Sequence, residues 1–273
     1  MTTGTTDPVA AAFRRLRTAA RTRTPCPPVR DLIGPDDETL AYAVQRRLTE
    51  AGVRDGRRPV GRKVGLTSPA VQRQLGVDRP DFGMLFDDMA CAESAVISLD
   101  RLLQPRVEAE VAFVLADDVT DPGVAAVTVR QQVAYAVAAL EIVDSRIAFW
   151  DISFADTVAD NGSSGLFVLG TDQVPLDAVE PAAVQMTMIV DGVPASTGSG
   201  AACLGDPLEA LAWLARTALA HGDPLRAGDV VLSGALGPMV PVTPGMQVRA
   251  HLTGLGSVGA TFTTRGAVTK GVS

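Results

Sequence analysis

The sequence predicts an α+β fold: a β-rich core over residues 91–273, preceded by a smaller α/β portion over residues 1–90. Three observations predict it. Helical periodicity dominates the N-terminal stretch. From about Glu93 onward, short apolar runs of strand length cluster without regular alternation with helices, which argues against a doubly wound sheet. The chain has 273 residues, 47% of them hydrophobic and 20% charged, enough for one large core. Aromatics are scarce, so Val, Leu, Ala and Ile must fill that core.

Taken in order, residues 7–22 read as the first helix, with Phe13, Leu16 and Ala20 on one side. Pro27 and Pro28 block its continuation. A second helix is expected from Asp37 to Ala51. Leu40, Val44 and Leu48 share a face, and Gly52 is placed to end it. Residues 59–67 read as a strand meeting a short helix, with Ser68 as N-cap, Pro69 at its first position and Gly76 at its stop. Pro80-Asp81-Phe82 reads as a loop. Strands follow at 94–99 and 106–116. A helix is expected from Thr128 to about Ala138, running directly into the apolar stretch Ala139–Val143. A short polar helix near 154–161 and a strand at Gly165–Leu169 come next. Residues 184–190 read as a strand, and Asp191-Gly192 as a two-residue turn of the I′ class. The last helix runs from Pro207 to Ala220, with Asp206 as N-cap, Glu209 as its capping-box partner and Gly222 as stop. Strands near 229–233, 246–252 and 258–263 complete the chain.

Composition removes several classes of function. A formal charge of -7 makes a poor nucleic-acid binder, because phosphate contacts need clustered Lys and Arg. Cys26, Cys91 and Cys203 lie far apart, which argues against a disulfide framework or a zinc knuckle and fits a reducing cytoplasm. No apolar run approaches the ~20 residues of a membrane span. His221 and His251 are the sole histidines. Neither has a Ser or Cys partner in a recognisable arrangement, so a Ser-His-Asp hydrolase has no support.

The most informative segment is Arg106-Val-Glu-Ala-Glu-Val-Ala-Phe-Val-Leu115. In a strand, Glu108 and Glu110 share a face. Alone, this pattern also suits a strand whose glutamates sit in water. Here Ala112 and Val114 continue the same face, so two carboxylates are expected to enter a buried region, where each raises the pKa of the other. Glu141, within Ala138-Ala-Leu-Glu-Ile-Val143, offers either a third carboxylate or a strand-end residue paired with Arg146. Three carboxylates with no His or Cys nearby make a hard oxygen site suited to Mg²⁺ or Mn²⁺ rather than zinc. Lys63 has glycines on both sides in Gly61-Arg-Lys-Val-Gly-Leu-Thr67, which allows close approach of a backbone or ligand; on composition alone it is an ordinary strand lysine. Asp160-Asn-Gly-Ser-Ser-Gly165 offers the hydroxyls of Ser163 and Ser164, with backbone N–H groups, to a substrate carboxylate. It is equally a plain turn.

Together these segments resemble the 2-keto-4-pentenoate hydratase family, a branch of the fumarylacetoacetate hydrolase superfamily. The matching stretches are GRKVGLTSPAVQRQLGVDRPDFG, LQPRVEAEVAFVL, ALEIVDSRI, DTVADNGSSG and LRAGDVVLSGALGPMVPV, in order from residue 61 to residue 242. The resemblance implies a distorted β-barrel or β-roll core, a divalent metal on Glu108, Glu110 and Glu141, and an active-site Lys63 and Asp81. It also implies assembly as a homo-oligomer. The implied reaction adds water to 2-hydroxypenta-2,4-dienoate to give 4-hydroxy-2-oxopentanoate in aromatic meta-cleavage catabolism, with Lys63 and Asp81 serving the proton transfers. Two rivals share the metal site. One is a 2-oxo-3-hexenedioate (4-oxalocrotonate) decarboxylase, which needs a site for a second carboxylate. The other is a fumarylpyruvate hydrolase-like C–C hydrolase, which commonly needs a His or Glu base. The chain departs from the usual family pattern at Asp206, where His or Asn is common, and at Gly162, where Ala is common.

Overall fold

Asp7 and Pro8 start the chain's first helix. The Asp7 carboxylate accepts from the Val9 and Ala10 N–H groups at 3.0 and 3.3 Å, and Pro8 occupies a position that needs no donor. The computed structural model describes residues 7–68, 72 and 79–264. Helix α1 spans Pro8–Thr22, α2 Arg30–Ile33 and α3 Glu38–Arg54. The buried stripe of α1 is Val9, Ala12, Leu16 and Ala19. It shares Leu16 with the expected stripe but is turned away from Ala20, which is exposed. Gly52 does not end α3. The helix continues to Arg54, and Gly52 lies where a Cβ would stand 3.2 Å from the Phe86 ring, so its smallness serves packing.

Two sheets carry the rest. The strands are β1 (Pro59–Gly65), β2 (Asp81–Phe86), β3 (Ala90–Cys91), β4 (Ala95–Ser98), β5 (Pro105–Leu115), β6 (Val133–Asp144), β7 (Ser164–Leu169), β8 (Gln185–Val190), β9 (Val193–Ser199), β10 (Val230–Ala235), β11 (Val240–Pro241), β12 (Gln247–Leu252) and β13 (Gly256–Thr263). The larger sheet has the order β2-β1-β10-β5-β6-β7-β3, with β11 also on β5; the smaller has the order β4-β13-β12-β8-β9. Strands β12 and β13 pack across β6, and Phe262, Leu252, Val258, Leu140 and Ile142 on these strands are all buried. Helix α4 (Ala126–Val129) packs on α6 (Pro207–Ala220), and α5 (Phe154–Ala159) packs on α3. The α+β class expected from the sequence is borne out.

Several local expectations hold. Asp206 caps α6 by accepting from Leu208 N–H at 2.8 Å, and Gly222, with φ +76°, follows its end. Asp191 and Gly192, at φ +50° and +83°, both take the left-handed conformation that a type I′ turn requires.

Two further expectations fail. Residues 128–138 are not one helix: α4 ends at Val129, a 3-10 turn takes Arg130–Gln132, and Val133–Asp144 is one strand paired along its length with β5 and, over Ala139–Val143, with β7. Pairing with β5, and burial of both faces from Ala136 onward, override the helical preference of an Ala-rich run. Asp81 and Phe82 are not in a loop but open β2, which is buried throughout. The expected short helix beginning at Ser68 falls almost wholly outside the described residues.

Candidate active site

The carboxylate cluster is a product of strand register. Glu108 and Glu110 alternate with Val107, Ala109 and Val111 on β5, so both project from one face. Antiparallel pairing of β5 with β6 sets Glu141 directly opposite Glu108. The ligand-capable oxygens of Glu108, Glu110 and Glu141 lie within 4.8 Å of one another. Glu110 and Glu141 are fully buried and Glu108 nearly so. Arg146 does not pair with Glu141, which removes the strand-end alternative; its partner is Asp160.

Strand β10 completes the floor. Its register shifts between Leu232 and Ala235, and in this bulge the Gly234 N–H donates to Glu110 Oε2 at 2.7 Å. Gly234 has φ +112°, and a Cβ there would stand 2.3 Å from the Thr67 hydroxyl. Two further glycines make room for the site. A Cβ on Gly65 would lie 2.1 Å from Asp81 Oδ1, and one on Gly83 would lie 2.2 Å from the Asn161 carbonyl.

Lys63 and Asp81 come from the β1–β2 hairpin. In its antiparallel register Lys63 faces Gly83 and Gly65 faces Asp81. Both polar side chains are buried. The Lys63 ammonium lies 3.2 Å from Glu141 Oε1 and donates to the Gly162 carbonyl at 2.9 Å. Its neighbour Arg62 points to the opposite face, where it donates to the Asp223 carbonyl and carboxylate. Asp81 Oδ2 accepts from the Thr157 hydroxyl at 3.3 Å, while Oδ1 has no partner.

The electrostatics follow from this crowding. Burial, then Glu141, pushes the Glu108 carboxyl up to about 7, against the pull of Lys63. Burial, then Glu141 and Glu108, raises Glu110 well above the carboxylate range. Burial also raises Glu141, with Lys63 opposing it. Burial alone would lower Lys63; Glu141, Asp81, Glu108 and Glu110 together outweigh it and hold the ammonium above the ordinary lysine value. Burial raises Asp81, with Lys63 and Thr157 opposing. Glu110 Oε1 and Glu141 Oε2 accept no hydrogen bond, and Glu141 Oε1 has only its ion pair with Lys63. Three buried carboxylates facing one ammonium, with orphaned hard oxygen donors, are the surroundings a divalent cation such as Mg²⁺ or Mn²⁺ fits.

The fumarylacetoacetate (FAA) hydrolase C-terminal family matches residues 61–263. A 2-keto-4-pentenoate hydratase of Burkholderia vietnamiensis is 53% identical over 255 residues, covering 93% of this chain and 97% of that protein. The chain belongs to the 2-keto-4-pentenoate hydratase family, within the fumarylacetoacetate hydrolase superfamily. A second hydratase-family relative, the 2-hydroxyhexa-2,4-dienoate hydratase of Comamonas testosteroni, is 42% identical and covers 82% of this chain and 85% of its own length. Among solved structures, the 4-oxalocrotonate decarboxylase of Pseudomonas putida G7, complexed with magnesium and adipate, superposes with a TM-score of 0.89 at 31% identity, covering 93% of this chain and 97% of its own. A fumarylpyruvate hydrolase of Pseudomonas aeruginosa, at a TM-score of 0.60 and 17% identity over 76% of this chain and 90% of its own, shares the fold. The expected fumarylacetoacetate hydrolase-like core is therefore borne out.

In this hydratase-family chain, Lys63, Asp81, Glu108, Glu110 and Glu141 are brought together. Ser163 and Ser164 occupy the adjoining turn, but their hydroxyls donate inward, to Asp160 Oδ2 at 3.3 Å and to the Asn161 carbonyl at 2.7 Å. Sequence reasoning missed the Gly162 carbonyl that holds Lys63, the Thr157 hydroxyl on Asp81, and the Gly234 N–H on Glu110. A backbone carbonyl and a backbone N–H carry no residue-type signal. Thr157 sits within a helix that the sequence showed merely as polar.

Proposed function

We propose that this protein is a metal-dependent hydro-lyase that adds water to 2-hydroxypenta-2,4-dienoate, giving 4-hydroxy-2-oxopentanoate. The observation that carries the reading is the buried convergence of Glu108, Glu110 and Glu141 beside Lys63 and Asp81. The likeness to hydratases over almost the full chain supports it. Glu108, Glu110 and Glu141 would hold Mg²⁺ or Mn²⁺, whose Lewis acidity polarises the 2-oxygen of the substrate when bound. Lys63, held as an ammonium by its carboxylate neighbours, orients the anionic substrate. Asp81, raised by burial and held beside Lys63, is the group suited to carry protons. It takes the enol proton from the 2-hydroxyl and returns it at C5, which gives the conjugated enone. Water then adds its hydroxyl at C4, and Asp81 moves the remaining proton to C3, so that one water is consumed in all. A substrate carboxylate would recruit Ser163 and Ser164 by displacing their bonds within the turn.

The reading places the enzyme in the cytoplasm as a homo-oligomer; none of the described helices is long and apolar enough to cross a membrane. The test is loss of dienoate absorbance by EDTA-treated protein with and without Mg²⁺ or Mn²⁺, the product being identified by mass. 2-Oxo-3-hexenedioate serves as the competing substrate. Faster loss of carbon dioxide from 2-oxo-3-hexenedioate than hydration of the dienoate would assign the chain to decarboxylation instead.

A further inference from the structure

The lysine of the site is held by a segment of unusual backbone. Asn161, Gly162 and Ser163 take φ values of +59°, +59° and +53°, three left-handed residues in succession. L-residues seldom adopt this conformation singly, and a run of them persists where surrounding contacts dictate it. Those contacts centre on one buried ion pair. Asp160 is fully buried, and its carboxylate accepts from Arg146 Nε at 2.5 Å, from the Arg146 N–H at 3.0 Å, and from the Ser145 and Ser163 hydroxyls at 3.3 Å each. The Arg146 guanidinium also donates to the carbonyls of Asp144 and Ser164 at 2.7 Å each, and to that of Asp160. Arg146 thus ties the end of β6, which carries Glu141, to both ends of the turn. On the other side, the Asn161 amide exchanges two hydrogen bonds with the backbone of Met84, at 2.7 and 2.9 Å, and anchors the turn on β2. What the turn presents inward is the Gly162 carbonyl, 2.9 Å from the Lys63 ammonium.

We propose that Arg146 and Asp160 are positioning residues. Their ion pair holds the left-handed turn 161–163 so that the Gly162 carbonyl fixes the Lys63 ammonium against Glu141. Neither residue belongs to the carboxylate cluster, and neither contacts Lys63 directly. Their influence reaches Lys63 through the turn, by way of the Gly162 carbonyl. The importance of Lys63 to turnover rests on the reading given above; the mechanical claim about the turn does not.

Two variants of the full chain test this, Asp160→Asn and Arg146→Lys. The first keeps shape but loses charge, and the second keeps charge but loses the planar fork that reaches three carbonyls. With Mn²⁺ present, kcat should fall on the order of 10–100-fold in Asp160→Asn, because an orienting group is displaced rather than removed. Mn²⁺ affinity should stay within about twofold, since neither residue belongs to the carboxylate cluster. Arg146→Lys should retain part of the activity. A second readout needs no turnover. Lys63 and Lys270 are the two lysines of the sequence, so acetylation by acetic anhydride can be followed as a Lys63 to Lys270 ratio by peptide mass spectrometry. That ratio should rise at least several-fold in both variants. It should stay at the wild-type value in Ile97→Ala, a buried-core change in the other sheet used as a control for lowered stability.

Wild-type kcat and labelling in well-folded Asp160→Asn would overturn the proposal. So would labelling that rises equally in Ile97→Ala, which would make the pair a source of fold stability only. Should Asp160→Asn fail to fold, Arg146→Lys decides by the same two readouts. If wild-type protein turns over no dienoate but labelling responds as expected, the positioning role stands and the proposed reaction falls.

Discussion

Replacing Glu108 with Gln is expected to raise the melting temperature of the metal-free protein at pH 7.5 and to remove most of the stabilisation conferred by Mn²⁺. The magnitude comes from the carboxyl's surroundings. Burial and Glu141 move Glu108 from 4.5 to about 7, which corresponds to about 3 kcal/mol between its two protonation states. The sign follows from proton binding. The folded protein binds this proton more tightly than the unfolded chain, so the contribution to stability is complete below about pH 4.5. It is lost as pH rises toward 7, and the ionised group then opposes folding in full. Gln has nearly the same volume and carries no charge, so it escapes that loss. For a chain of this size, 1 kcal/mol shifts the melting temperature by about 2 °C, so metal-free Glu108→Gln should melt about 6 °C above metal-free wild type at pH 7.5. The two should converge near pH 4.5. Mn²⁺ at 100 times its Kd stabilises wild type by about 2.7 kcal/mol, or about 5 °C. In the variant, with one donor weakened and one charge gone, that shift should shrink to under half. Differential scanning calorimetry of EDTA-treated protein, with and without Mn²⁺ across this pH range, makes the measurement. A metal-free variant that melts below wild type at pH 7.5, or an undiminished Mn²⁺ shift, would refute the reasoning.

Further outcomes are expected. Lys63→Ala and Asp81→Asn should each lower turnover about 10²-fold or more while isothermal titration finds Mn²⁺ affinity retained, because neither side chain belongs to the carboxylate cluster. Gly65→Ala should cut kcat as strongly as Asp81→Asn, since its Cβ would lie 2.1 Å from Asp81 Oδ1; steady-state kinetics beside the melting curve separate this from loss of fold. Exhaustive EDTA treatment should abolish dienoate hydration, and added Mg²⁺ or Mn²⁺ should restore it. Light scattering coupled to size exclusion should find an oligomer; a stable monomer would remove the assembly proposal.

The sequence was most legible where a side chain's period and its neighbours gave the same answer. Glu108 and Glu110 were placed by strand alternation, and their burial by Ala112 and Val114 beyond them. Glu141 stood out because a charge interrupts an apolar run. Turn chemistry at Asp191-Gly192 and the cap at Asp206 were equally plain, since both are local. Legibility failed where pairing at long range decides. The Ala-rich segment before Ala139 reads as helix until β5 is available to pair with it. Lys63 and Glu141 lie on strands three places apart in the sheet, a spacing of ~14 Å between backbones, so nothing local announces their 3.2 Å ion pair. Asp160 read as a turn residue because its partner Arg146 had a plausible nearer target in Glu141.

The order of the larger sheet has a consequence for how such a protein can change. All three carboxylates reside on one hairpin, β5–β6, and both Lys63 and Asp81 on another, β1–β2. A single strand, β10, stands between them. The ion-binding half and the proton-handling half are therefore separable modules joined by a common spacer. Substitutions in the β1–β2 hairpin or on the turn that leans on it can retune which bond is made or broken, with the carboxylate hairpin left as it is. Substitutions in β10 enjoy no such freedom, because any shift of that strand moves both halves against each other.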